Sequence, residues 1–170
     1  VYETFQSSTY DTTRIGYSAF NTSMDTGPVF ASGQYTNGVY NNSNYIVNDY
    51  LGDWIKIKFP VSINLTKYGF KQRTNDDRTV GKYKLYGSND NTNWDELVHK
   101  TSKISYSSSM FEESITTCKT YDYFAVVCNE LSGSGNLLNF DEWYIYGQEQ
   151  ITPVEIDSDY KYLAFSHSGG

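Results

Sequence analysis

Alternating apolar and polar residues mark the segment GDWIKIKFP, which begins at Gly52. In an extended chain Ile55, Ile57 and Phe59 fall on one face, while one Trp and two Lys fall on the other. This two-residue period is that of a β-strand with one face buried. The segment therefore predicts a half-buried strand.

Three later segments predict further strands. KYKLYG repeats the alternation with Tyr83 and Leu85 inward, YFAVVC is apolar on both faces, and EWYIYG ends at Gly147. Between them lie loops rich in Asn, Ser, Gly and Asp, and no segment keeps a 3.6-residue apolar period over three turns. Short strands joined by polar loops predict an all-β fold, a jelly-roll β-sandwich with negligible helix.

The organisation of the chain follows from where this pattern stops. Residues 34–49 show no alternation and are interpreted as a long surface loop. We expect one domain over residues 1–147, followed over residues 148–170 by a linker and the truncated start of another module. The chain is thus expected to be part of a larger multi-domain protein.

Composition and charge narrow the classes of function. The 170 residues include 17 Tyr and 9 Phe, which suit pleated strands, and the formal net charge is -7. An acidic chain without a basic run argues against binding to nucleic acid and against binding to anionic membranes. The motifs of nucleophile elbows, zinc proteases, dinucleotide sites and phosphate loops are absent, so we expect no enzyme.

The cysteines leave the compartment open. Cys118 and Cys128 bracket a short segment, and a tight hairpin would pair Cys118 with a nearer residue. Free, buried thiols are therefore favoured over a disulfide between them.

Five segments in order resemble the discoidin, or coagulation-factor type C, family and the related galactose-binding-like carbohydrate-binding modules. They are GDWIKIKFP, YGF with Arg73 shortly after it, KYKLYGSNDNTNW, YDYFAVV and FDEWYIYG. The resemblance runs from about Ala19 to Gly147 and implies an eight-stranded jelly roll with its ligand loops at one end. In AFNTSMDTGPVF, Asn21 replaces the family's Asp and no Trp follows, and neither Cys lies near an end of the domain. The chain is more similar to the microbial or viral sugar-binding branch.

The resemblance implies a structural calcium site. Ala19, Asn21, Ser23 and Thr26 match the loop ligands of the family, some through backbone carbonyls, and Glu142 matches the closing carboxylate. Hard cations prefer such oxygen ligands. The alternative is that Asn21 and Ser23 only cap a turn.

The resemblance also implies a sugar site. Arg73 falls where carbohydrate-binding relatives place an Arg that grips the sugar, and the alternative is an ion pair with Asp76 or Asp77. Candidate sugar contacts elsewhere are an Asn on the late loop LSGSGN, one Asn beside the Arg and two Tyr on the long loop: Asn136, Asn75, Tyr35 and Tyr40. Sugars need a flat apolar face and fixed polar groups, which Tyr, Arg and Asn supply together.

Three functions compete at this point. The first is a lectin-like glycan-binding or adhesion module of an extracellular, cell-surface or virion protein. The second is a discoidin domain that binds protein or membrane, and the third is a structural spacer. A concave loop end with Arg beside an aromatic residue would favour the first.

Overall fold

The computed structural model describes residues 1–23, 26–73, 78–106 and 110–150. Within these residues there are nine strands and one short 3₁₀ helix, Gly16–Phe20. The strands are β1 Glu3–Gln6, β2 Tyr35–Thr36, β3 Val39–Tyr40, β4 Asp53–Lys71, β5 Val80–Ser88, β6 Asp95–Lys100, β7 Met110–Ser114, β8 Tyr121–Leu131 and β9 Glu142–Glu149. All pairings are antiparallel.

Strand β4 organises both layers of the sandwich. Its first part pairs with β1 and β8, and its second part, from Ile63, pairs with β9 and β7. Between Lys58 and Ile63 the register with β8 shifts, so the strand changes partners at this irregularity. A bulge of this kind bends a strand, and one long strand thereby runs through both layers.

The core lies between the two halves of β4 and their partners. Phe70 packs edge-on against Tyr83 of β5, with ring centroids 5.3 Å apart, and the hydroxyl oxygens of Tyr68 and Tyr83 lie 2.8 Å apart. All three side chains are fully buried. Paired hydroxyls allow polar aromatic residues to be buried at low cost.

The alternating patterns predict the strands correctly, and the jelly-roll sandwich with almost no helix is confirmed. The helix is a single 3₁₀ segment of five residues. Strand β4 is much longer than its predicted segment, and β9 ends at Glu149 instead of Gly147. The predicted linker and following module, beyond residue 150, lie outside the described residues.

Two expectations are wrong, namely that residues 34–49 form a surface loop and that both cysteines are buried. Residues 34–49 are not simply a surface loop, because β2 and β3 form there and β3 pairs with β8. On the outer face of β5, Tyr86 packs with side chains such as Ile46 and Tyr50, so this face is covered as well as the inner one. Both cysteines are free, but only Cys128 is buried and Cys118 is exposed.

A covered outer face also explains a buried lysine. Lys84 lies on β5 with only 6% of its surface exposed, and its Nζ pairs with Glu96 at 2.9 Å and with Asp49 at 3.4 Å. Buried charges require such partners.

Among the described residues, no helix is long and apolar enough to cross a membrane.

Candidate functional site

Several loops meet at one end of the sandwich, which we name the loop end: residues 31–38, 72–73, 78–79 and 132–141. The carbonyl of Asn136 accepts hydrogen bonds from the backbone N–H groups of Gly33, at 2.9 Å, and Tyr35, at 3.3 Å. The carbonyl of Thr79 accepts one from Ser132 N–H at 2.9 Å. Segments far apart in the chain are therefore joined by backbone hydrogen bonds, as the resemblance implies.

The arginine predicted to grip a sugar lies just beyond β4. Arg73 is partly exposed and has an interaction partner within the protein. Two residues before it, the carbonyl of Lys71 accepts a hydrogen bond from Asp141 N–H at 2.8 Å, and Lys71 Nζ lies 3.8 Å from an Asp141 carboxylate oxygen. The end of β4 is thus fastened to the segment before β9. Asn75, Asp76 and Asp77 lie outside the described residues.

Asn136 is exposed, and a second arginine lies beside its loop. The Arg78 side chain packs on Gly135, since a Cβ added to this glycine would lie 2.3 Å from Arg78 Cγ. The backbone carbonyl of Arg78 also accepts a hydrogen bond from Asn139 N–H. Arg78 was not identified from the sequence. The feature that could have indicated it is a basic residue just before the predicted strand β5.

The two tyrosines predicted to stack on a sugar are core residues instead. Tyr35 is 2% exposed and Tyr40 is 8% exposed, and the rings pack edge-on with centroids 5.2 Å apart. The Tyr35 hydroxyl donates to the Cys128 carbonyl at 2.9 Å, while the Tyr40 hydroxyl accepts from Asn44 N–H at 3.1 Å. Burial raises the pKa of Tyr40 to about 12 and raises the pKa of Tyr35 well above its ordinary value. A stacking face must be exposed, so this expectation is corrected.

Two of the predicted cation ligands, Asn21 and Ser23, lie on the turn after the 3₁₀ helix and Thr26 hydrogen-bonds to them, whereas Ala19 is buried within the helix. Asn21 Oδ1 accepts a hydrogen bond from Ser23 N–H at 2.9 Å, and the Thr26 hydroxyl donates to the Ser23 carbonyl at 3.1 Å. Thr22 has a φ of 59° in the middle of this turn. The turn-capping alternative therefore describes a real set of contacts, and it places several oxygens close together.

Glu142 connects this turn to the start of β9. Its carboxylate accepts a hydrogen bond from the backbone N–H of Thr22. The residue is 3% exposed, and Oε1 has no hydrogen-bond partner among the described residues. Burial, with a contribution from Asp141, raises the pKa of Glu142 to about 7, against the effects of Lys71 and Thr22.

The chemical types of these residues suit a hard cation. All the candidate ligand atoms are oxygens, and Oε1 of Glu142 is a buried oxygen without a hydrogen-bond partner among the described residues. Within the described part of the chain, no group of three or more His, Cys, Asp and Glu side chains forms a metal cluster. A cation here would therefore rely on one carboxylate with carbonyl and hydroxyl oxygens, a set that suits calcium better than zinc.

No protein-family model and no curated protein matches the sequence. Solved structures do share the fold. A chitosan-binding module of a chitosanase/glucanase from Paenibacillus sp. IK-5 superposes with a TM-score of 0.64 at 18% identity, covering 85% of this chain and 94% of that one. A Clostridium perfringens module, CpGH89CBM32-5, solved with GalNAc-beta-1,3-galactose, has a TM-score of 0.65 and 15% sequence identity, covering 86% of this chain and 95% of that one. An F5/8 type C domain from Bacteroides fragilis has a TM-score of 0.62 and 12% sequence identity, covering 88% of this chain and 93% of that one.

Proposed function

We propose that the chain is a non-catalytic carbohydrate-binding module whose sugar site lies at the loop end. The observation that carries the proposal is the meeting of the loops of Arg73, Arg78 and Asn136 in a fold shared with chitosan- and galactoside-binding modules. A guanidinium donates through a rigid planar fork, which suits two neighbouring hydroxyls of a sugar ring. Asn136 adds an exposed amide that both donates and accepts.

The burial of Tyr35 and Tyr40 changes the expected strength of binding. Without their rings the loop end contacts a sugar mainly through polar groups that also bind water. We therefore expect weak affinity for a single saccharide, with a dissociation constant of roughly 0.1 to 1 mM. Repeated modules or multivalent glycans would raise the apparent affinity.

The experiment is a titration of the protein with galactose, glucose, fucose and their amino derivatives. Arg73→Ala should abolish binding at the loop end, and Arg73→Lys should not restore it because an ammonium cannot reproduce the fork. Arg14→Ala is the matched control, since Arg14 is partly exposed and precedes the 3₁₀ helix. Binding that survives Arg73→Ala for every sugar would refute this site, and the absence of any binding by the parent protein at tens of millimolar would favour the structural spacer.

We also propose that calcium binds between the turn at Asn21 and Glu142. Ala19, Asn21, Ser23 and Thr26 would supply carbonyl or side-chain oxygens, and Glu142 the carboxylate. The ion would supply fixed positive charge that offsets the burial of this carboxylate and ties the early loop to β9. Its role would be structural, because ligand binding to the folded state alone stabilises that state.

A melting experiment tests the calcium site. At a hundredfold excess over the dissociation constant, calcium should raise the melting temperature by about 5 to 10 °C relative to chelator. Glu142→Gln should remove this rise, whereas Glu149→Gln, an exposed change on the same strand, should keep it. Equal melting temperatures in chelator and in millimolar calcium would exclude the site.

A further inference from the structure

An aromatic crevice is lined by residues of β1, β4, β9 and the 3₁₀ helix. Strands β1 and β9 each pair with β4, and the 3₁₀ helix contacts both of them. The crevice has a volume of about 590 Å³, within the range typical of small-molecule sites. Its walls are mainly aromatic and include Tyr2, Tyr17, Phe20, Trp143, Tyr144 and Tyr146.

The tyrosines of the crevice differ from those of the loop end in being accessible. Tyr17 is 64% exposed and Tyr2 is 60% exposed. On β9, the rings of Tyr144 and Tyr146 are stacked, with an interplanar angle of 18°. Such rings offer flat apolar faces together with polar hydroxyl groups, which is what the two sides of a pyranose ring require.

Two buried polar atoms on residues lining the crevice have no hydrogen-bond partner among the described residues. One is the indole N–H donor of Trp143, and the other is the Oε1 acceptor of Glu142, the preceding residue. Each residue is 3% exposed or less. A buried polar atom left without a partner costs free energy, so a ligand that supplies the partner binds more tightly.

The surroundings of Trp143 favour one kind of acceptor. Its ring lies beside those of Phe20 and Phe70, with centroids 5.8 and 6.4 Å away. A sugar hydroxyl would accept from the indole but would bring its own O–H donor among these apolar rings. An amide carbonyl accepts without donating. The acetamido group of an N-acetylated sugar adds a methyl group for the aromatic walls and an N–H for a carboxylate oxygen.

We propose that the crevice is a second saccharide site, which takes an N-acetylated hexosamine. The proposal rests on the proposed function in one respect, that the chain binds carbohydrate, but it uses none of the residues of the loop end. Tyr17 provides an exposed ring at the mouth, Trp143 binds the acetamido carbonyl, and Glu142 accepts from the acetamido N–H when no cation holds its carboxylate.

The test follows the indole N–H signals of the ¹⁵N-labelled protein in chelator, with Trp143 assigned through Trp143→Phe. N-acetylglucosamine or N-acetylgalactosamine should shift the Trp143 signal, whereas glucose, galactose and glucosamine at equal concentration should not. Tyr17→Ala should weaken binding about tenfold or more. Tyr10→Ala is the control, because Tyr10 is also 60% exposed but does not line the crevice.

The outcomes separate this proposal from the loop-end site. A Trp143 response that persists in Arg73→Ala and is lost in Tyr17→Ala supports the crevice. A Trp143 signal that stays unmoved by N-acetylated sugars at tens of millimolar overturns it, even if other signals show Arg73-dependent binding. Equal responses to glucose and N-acetylglucosamine overturn the assignment to acetamido sugars.

Discussion

The loop end and the crevice use their aromatic residues in opposite ways. At the loop end Tyr35 and Tyr40 are buried beneath the loops and their hydroxyls bond to the protein backbone. At the crevice Tyr2 and Tyr17 remain exposed. The comparison shows that the position of a tyrosine in a polar loop does not by itself identify it as a ligand contact. Tertiary packing decides whether its ring faces solvent.

The difference extends to the polar groups. Backbone groups of the loop end are paired across loops distant in the chain, whereas the crevice has two buried polar atoms without partners among the described residues. The backbone of the loop end is therefore held by hydrogen bonds between loops. The crevice is an open cavity with aromatic walls, and the proposed saccharide would supply partners for its two buried polar atoms.

The largest expected effect is that of Gly38→Ala at the loop end. Gly38 has a φ of 79°, and a Cβ there would lie 2.0 Å from the Gly133 carbonyl oxygen. We expect a loss of about 2 to 4 kcal/mol in the free energy of unfolding, measured by denaturant titration. Gly33→Ala is the matched control, since Gly33 has a φ of 81° but open space around its Cβ position, and should lose about 1 kcal/mol. Equal losses would show that the loops are not tightly packed.

A pair of hydroxyl deletions compares the two regions directly. Tyr35→Phe removes a buried hydrogen bond to the Cys128 carbonyl and should cost about 1 kcal/mol. Tyr17→Phe removes an exposed hydroxyl and should change stability by less than about 0.5 kcal/mol. The same denaturant titration measures both, and a Tyr35→Phe protein as stable as the parent would contradict the burial of this ring.

The smallest expected effect is the pH dependence that Asp53 contributes. This buried carboxylate accepts from the hydroxyls of Ser7, at 2.7 Å, and Ser8, at 3.0 Å, and thus ties the segment after β1 to β4. Burial raises its pKa above the ordinary 3.8, although the serine hydroxyls act in the opposite direction. The folded state therefore holds this proton more tightly than the unfolded chain does.

From that sign the contribution of Asp53 to the free energy of unfolding should fall as the pH rises through the window just above 3.8. In Asp53→Asn this contribution should be absent, so over the same window the free energy of unfolding of the variant should fall less, or rise more, than that of the parent. Thermal melts at several pH values measure the slope. If the free energy of unfolding of the variant fell more steeply with rising pH than that of the parent, the raised pKa of Asp53 would be contradicted.

Local pattern was sufficient for much of the fold. The alternation in GDWIKIKFP identified the inward residues Ile55 and Ile57, and both are buried. The same pattern missed the extension of β4, whose second half pairs with the predicted strand β9 and with β7, a strand that the pattern did not predict. It also missed β2 and β3, which have only two residues each and form where partners and turns permit.

The candidate site was less predictable, for a physical reason. That the loops of Arg73 and Asn136 approach one end followed from the resemblance, and the fold places Asn136 beside the β2–β3 hairpin. The burial of Tyr35 and Tyr40 depends on contacts with residues far along the chain, such as Cys128. The crevice combines three elements from both ends of the domain with part of β4, and although the β9 segment FDEWYIYG belongs to the family resemblance, none of these elements carries a sequence motif for a ligand site.

The long strand β4 has a consequence for the order in which the chain folds. Its first half can pair with β1 early, but its second half needs β7 and β9, and β9 begins at Glu142. During synthesis the second layer therefore cannot close until nearly the whole domain has left the ribosome. Pairings this distant in sequence are slow to form, and until they form the apolar face of Tyr68 and Phe70 stays open to chaperones and to neighbouring chains.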